Sequence, residues 1–199
     1  MFRLCVLLLL ASVASPTIEH AHAQDSRITV SVDRDLLPLA HRVDGGLHVT
    51  ASEAFRAVST LSGVVLIDVR THEETLFNGV AAPMHRHIPY VIADFDHSYD
   101  AEHERYKLEP NPYFPRSVDD LLAEMKLDQG ATIIVYCSVG ERSARAANLL
   151  LKSGFKNVYS MVEGFEGDPT SRIGAGWKAA GLPWTQRLRR EQAYKNPTM

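Results

Sequence analysis

Two short runs, Val64-Val65-Leu66-Ile67 and Thr132-Ile133-Ile134-Val135-Tyr136, constrain this chain most. Both are rich in β-branched residues, and neither alternates polar with apolar. A strand with one wet face alternates; a strand buried on both faces does not, and such strands belong to parallel sheets covered by helices on each side. The intervening segments agree. Thr50 or Ser52 can cap a helix over about 52–61, with Glu53 in its first turn and Ala54, Phe55, Val58 and Leu61 as its apolar stripe. A short helical turn is expected over 71–77, a second strand around 87–91, a helix over 118–127 capped by Ser117, a helix over 142–153 closed by Gly154, and a strand over 157–162. The expected fold class is α/β, with a central, mostly parallel sheet flanked by helices on both faces. No internal repeat is visible.

The 199 residues suit one domain. Lys and Arg number 21 against 24 Asp and Glu, a formal net charge of −3, so no basic excess exists to neutralise nucleic-acid phosphates. The first 23 residues read as a secretory signal: Arg3, then a short apolar run from Leu4 to Val13, then Ala21-His22-Ala23 as a small-x-small cleavage site. That run is too short to span a bilayer, so the cleaved chain has no expected membrane span and is expected in the periplasm or outside the cell. Cleavage removes Cys5 and leaves Cys137 as the lone thiol, which then cannot form an internal disulfide.

Residues 24–46 read as an N-terminal arm, with an edge strand in the alternating run Ile28–Val32. Residues 93–117 combine Asp94, Asp96, Asp100, Glu102, Glu104 and Glu109 with three prolines, and read as an acidic loop or insertion. Residues 185–199 form a polar, frayed tail. His85, His87, His97 and His103 match no tight metal-ligand spacing and are read as solvated loop residues; no metal or cofactor is expected. Trp177 and Trp184 are read as packing a C-terminal helix.

Chemistry concentrates where the second apolar run ends. Cys137 stands at the carboxyl end of a buried strand, just before a helix N-terminus, where ligands bind in open α/β sheets. Unpaired amides of a first helical turn, together with Arg142, favour an anionic sulfur, and Gly140 lets the loop turn its amides inward. From these residues alone, a reactive cysteine and an inert core cysteine both remain open.

Cys137-Ser138-Val139-Gly140-Glu141-Arg142-Ser143 resembles the C-x-x-G-x-R-S active-site loop of rhodanese-like sulfurtransferases. Asp68-Val69-Arg70 with Glu73-Glu74, His87-Ile88-Pro89, and Gly154 to Tyr159 followed by Glu163-Gly164-Phe165 resemble further family motifs, in the same order, over residues 47–184. The chain departs from the family at Gly79–Met84, at the insertion, and at Phe165, which stands where the family has a second glycine. The resemblance implies a thiosulfate sulfurtransferase-like enzyme. Cys137 would take the outer sulfur of a small sulfur-containing anion and pass it from a persulfide to a thiol or cyanide, or to an exported protein partner. It further implies that the loop from Ser138 to Ser143 holds the persulfide, that Arg142 orients the donor anion, and that Asp68 and Arg70 buttress the loop. Glu141 would oppose a dianion, so Glu141→Gln is expected to raise kcat/KM for thiosulfate roughly two- to tenfold. The alternatives are a cysteine phosphatase or arsenate reductase of related fold, and a non-catalytic partner module of an exported oxidation system.

Overall fold

The computed structural model describes residues 28, 30–93, 95–169 and 173–196. The expected signal segment, its cleavage site and Cys5 lie outside them. In chain order the elements are β1 (His48–Val49), α1 (Ala51–Thr60), β2 (Val64–Asp68), α2 (His72–Asn78), β3 (Val80–Ala81), β4 (Arg86–His87), β5 (Val91–Ala93), β6 (Tyr99–Asp100), β7 (Arg105–Tyr106), β8 (Leu108–Pro110), α3 (Phe114–Glu124), β9 (Thr132–Tyr136), α4 (Glu141–Lys152), β10 (Asn157–Met161), α5 (Gly176–Ala179) and β11 (Trp184–Thr185).

Five strands form one sheet in the order β1-β10-β9-β2-β4, and all its pairings are parallel. The two apolar runs are its central neighbours, in the register Val64↔Thr132 to Asp68↔Tyr136. Each strand residue chooses a face by the period of two. Val65, Ile67, Ile133 and Val135 pack against Val118, Leu121 and Leu122 of α3 and Ala147 and Leu150 of α4. Leu66, Ile134 and Tyr136 pack on the opposite face, against Ala54 and Ala57 of α1 and Trp177 of α5. The sheet is thus flanked by helices on both faces, and its strands carry no polar alternation because both faces are dry.

Helix starts follow local chemistry. Thr50 and Thr71 accept the amides of Glu53 and Glu74, whose carboxylates return to the cap amides, completing two capping boxes. α3 departs from the expected start. It begins at Phe114, not Val118, because Pro115 falls in the first turn, where no amide is required, and Phe114 is fully buried.

Three other expectations are corrected. The described residues of Ile28–Val32 join no strand; Ser31 instead donates its amide to Glu53 Oε1 at 2.7 Å. The acidic stretch, read as a loop or insertion, carries strands rather than loop throughout: β5 pairs with β8 and β6 with β7, both antiparallel, making an arm of nested hairpins. The tail does not fray within the described residues. Gln192 is buried, accepts the His87 amide at 2.7 Å and donates to the Met84 carbonyl, while Tyr194 Oη accepts from Asn111 at 3.2 Å. It covers the β4 edge of the sheet, which would otherwise present unpaired backbone groups. Among the described residues no helix is long and apolar enough to cross a membrane.

Candidate active site

Cys137 follows β9 directly and is fully buried. Its Sγ accepts the amides of Gly140 at 3.2 Å and Ser143 at 3.4 Å, and lies 3.7 Å from Ser143 Oγ. Ser143 is held in turn: its hydroxyl donates to the Gly140 carbonyl at 2.8 Å and accepts from Ser160 Oγ at 2.9 Å. Two amides aimed at one sulfur require a tight loop, and Gly140 supplies it with a φ of 101°.

The loop's carbonyls point the other way. Phe165 donates its amide to the Cys137 carbonyl at 2.7 Å, and Glu166 and Gly167 donate theirs to Ser138 at 2.9 and 3.2 Å. Gly164 makes this approach possible, since a Cβ there would lie 2.2 Å from the Ser138 carbonyl oxygen. His41 Nε2 lies 2.9 Å from the Val139 carbonyl. With carbonyls bound outside, amides are left to face the sulfur. The Val139 side chain is partly exposed on the loop.

Arg142 and Ser138 meet on Glu74. Arg142 Nη1 and Nη2 donate to the two carboxylate oxygens at 2.6 Å each, and Ser138 Oγ donates at 2.5 Å. The Thr71 amide is a further donor at 2.9 Å. Burial alone would push the Glu74 carboxyl up, but the Arg142 and Ser138 hydrogen bonds, the Thr71 amide and the Arg142 charge outweigh it and hold it at about 2. Burial would likewise lower Arg142, and the Glu74 hydrogen bonds and charge raise it above its usual value. The guanidinium fork expected to orient a donor anion is therefore turned onto Glu74. Glu141 points to solvent, with its carboxylate 3.8 Å from Arg145.

Asp68 and Arg70 are a buried ion pair rather than a surface one. Arg70 Nη2 lies 2.6 Å from Asp68 Oδ2 and donates to the Gly79 carbonyl at 2.6 Å. The guanidinium lies 4.2 Å from the centroid of the Phe165 ring, and its Nη1 is 3.8 Å from Glu166 Oε1. The pair reaches the cysteine loop through residues 165 and 166, whose amides hold the loop carbonyls. Phe165, at the family's glycine position, is thus the surface on which Arg70 rests.

Two of the histidines read as solvated bond to the backbone, and one of them is buried. His87 is fully buried with Nε2 2.9 Å from the Arg70 carbonyl, and His85 Nδ1 accepts the Leu66 amide at 3.0 Å. Trp177 is core, whereas Trp184 lies on β11, half-exposed, with Lys178 Nζ 4.6 Å from its ring centroid. Sequence reasoning missed His41 and the role of Glu74. Nothing local marks His41, which reaches the loop from 98 residues away. For Glu74 a signal existed in the Thr71–Glu74 capping-box spacing, which fixes its carboxylate beside the strand end.

The rhodanese-like domain family matches residues 51–168. This chain belongs to that family. Among curated relatives it is similar to the uncharacterised protein RP600 of Rickettsia prowazekii, 27% identical over 137 residues that cover 69% of this chain and 95% of the relative. An uncharacterised protein encoded in the dnaA 5′ region of Rickettsia montanensis is 26% identical over the same shares. Among solved structures it is similar to Rv0390 of M. tuberculosis, with 27% identity, 70% of this chain and 97% of the other covered, and a TM-score of 0.49. The polysulfide-sulfur transferase of Wolinella succinogenes is 22% identical, with 70% and 77% covered and a TM-score of 0.43.

Proposed function

We propose that this rhodanese-like protein is a sulfurtransferase whose acceptor and donor of sulfur is Cys137. The observation that carries the reading is the pair of loop amides, from Gly140 and Ser143, aimed at the Cys137 sulfur at the carboxyl end of β9. Such donors stabilise a thiolate and then the terminal sulfur of a persulfide, which is the charge the reaction must hold. The thiolate attacks the outer sulfur of a donor such as thiosulfate. The donor's S–S bond breaks, the Cys137 S–S bond forms, and sulfite leaves with the bonding pair. Cyanide or a thiolate then attacks the persulfide's outer sulfur and regenerates the Cys137 thiolate. Among the described residues Cys137 is the one free cysteine, so the acceptor comes from outside the fold.

A cysteine phosphatase fits less well: it has to bind a tetrahedral dianion with the Arg142 fork that Glu74 occupies, whereas sulfane sulfur also comes from donors of lower charge. Export with cleavage after Ala23 is the accompanying proposal, placing the acceptor thiol in the periplasm or outside the cell; N-terminal sequencing of the mature protein checks it. The activity test is thiocyanate formation from a sulfane donor and cyanide. Wild-type protein is expected to turn over and Cys137→Ser to be inactive. Phosphate-ester hydrolysis at Cys137 without thiocyanate would reverse the reading.

A further inference from the structure

Around the cysteine loop, the arginines and the lysine that could recognise a donor are, among the described residues, already matched by carboxylates. Arg142 is spent on Glu74, Arg70 on Asp68 with Glu166 beside it, and Lys178 lies 3.2 Å from Glu166. Arg145 stands 3.8 Å from the exposed carboxylate of Glu141. Of these pairs, Glu74–Arg142 is the one that also binds a loop hydroxyl, Ser138 Oγ. Glu74 is saturated: two guanidinium nitrogens, a hydroxyl and a backbone amide all donate to one carboxylate. A dianionic donor has to displace that carboxylate to reach the fork, or sit beside it and be repelled. A monoanion of the same shape meets half the repulsion and needs no guanidinium, since the two amides on Sγ serve the transferred sulfur itself.

The geometry points to Glu74 as the residue that sets donor charge at this site: it withdraws Arg142 from the donor and selects sulfane sulfur carried by a monoanion over the thiosulfate dianion. The inference rests on the sulfurtransferase reading and narrows its donor class. Methanethiosulfonate is the matched probe, with a methyl group in place of one charged oxygen of thiosulfate. The Cys137 thiolate attacks its outer sulfur, the S–S bond breaks, and methanesulfinate leaves with the electron pair. The products are the Cys137 persulfide and one monoanion, where thiosulfate would release dianionic sulfite.

The experiment compares kcat/KM for the two donors, with cyanide as acceptor, in wild-type protein and in Glu74→Gln, which keeps the side chain's shape and an acceptor oxygen. Wild type is expected to favour methanethiosulfonate by tenfold or more. Glu74→Gln is expected to shrink that ratio at least fivefold, through a lower KM for thiosulfate. A wild type that favours thiosulfate overturns the inference without need of any variant. Equal losses for both donors in Glu74→Gln also overturn it, because a residue that only braces the loop would act on both alike. A second measurement does not depend on turnover: calorimetric binding of sulfite, at a pH where it is a dianion, to Cys137→Ser with and without Glu74→Gln. Tightening of fivefold or more supports the assignment and unchanged affinity contradicts it. If neither donor loads Cys137, the sulfurtransferase reading fails, and the sulfite result still decides the role of Glu74.

Discussion

A Cβ placed on Gly140 would lie 2.0 Å from the Val162 carbonyl oxygen and 2.7 Å from His41 Cδ2. The loop's tightest turn is therefore wedged between the end of β10 and the N-terminal arm, in a backbone conformation L side chains rarely adopt. Gly140→Ala is expected to cost about 1–3 kcal/mol of stability from the backbone conformation, with the contact adding to it. Because relief of the clash moves the amide off Sγ, the variant should lose sulfur transfer beyond what its unfolded fraction explains. Urea denaturation and thiocyanate assays on the same samples measure both; an alanine variant with full activity and stability would contradict the loop geometry.

The Asp68–Arg70 pair is fully buried, and so its two halves are not equivalent to two independent contacts. Arg70→Met leaves the Asp68 charge in a dry interior and is expected to destabilise by about 3–5 kcal/mol. Adding Asp68→Asn should return a large part of that loss, since the uncompensated charge is gone. A double-mutant cycle by chemical denaturation reads the coupling; additive losses would show that the pair is not interacting as described.

Acid should weaken the fold in two stages. Burial holds His48, His85 and His87 below the usual histidine value. Their neutral forms suit the folded state, so their contribution is complete above about 6.5 and is lost as pH falls through 6.5 toward their lower folded values. Glu74, held at about 2, contributes above the ordinary carboxylate value and loses that contribution as pH falls from about 4.5 toward 2, an effect of about 3 kcal/mol at most. Urea midpoints at pH 8, 5.5 and 3.5 should fall at each step, and Glu74→Gln should shrink the second fall. A midpoint that stays level from pH 8 to 5.5 would rule out the histidine stage.

Glu141 offers a control on the charge account. The sequence reading has it repel a dianion, but it is exposed to solvent with Arg145 3.8 Å away, so water and an opposite charge screen it. Exposed pairs of this kind carry about 0–1 kcal/mol. Glu141→Gln should therefore change kcat/KM for thiosulfate by less than about threefold, well short of the change at Glu74. A tenfold rise would place the repulsion at Glu141 instead.

The central sheet and its helices were legible because their signals are local. The uninterrupted apolar run 132–136 marks β9 to the residue, and the helix capped by Thr50 or Ser52 and the helical turn expected over 71–77 start within a residue of α1 and α2. The cysteine loop was legible for the same reason: a buried strand, a glycine and a helix start are consecutive. What escaped depends on distant pairing. β5 and β8 recognise each other across the arm with a composition that locally favours loop, and Gln192 and Tyr194 are held by the sheet edge and Asn111, not by any helix or strand pattern of their own. The partner of Arg142 escaped because Glu74 lies 68 residues upstream, so sequence shows a free cation where the fold holds an ion pair.

The most direct test of the account is the intact mass of the mature protein after incubation with methanethiosulfonate and, separately, thiosulfate. One persulfide at Cys137 adds about 32 Da, cyanide removes it, and Cys137→Ser shows neither change. That gain is expected with both donors, faster with methanethiosulfonate. No gain with either donor, or an equal gain in Cys137→Ser, would contradict sulfur transfer at Cys137.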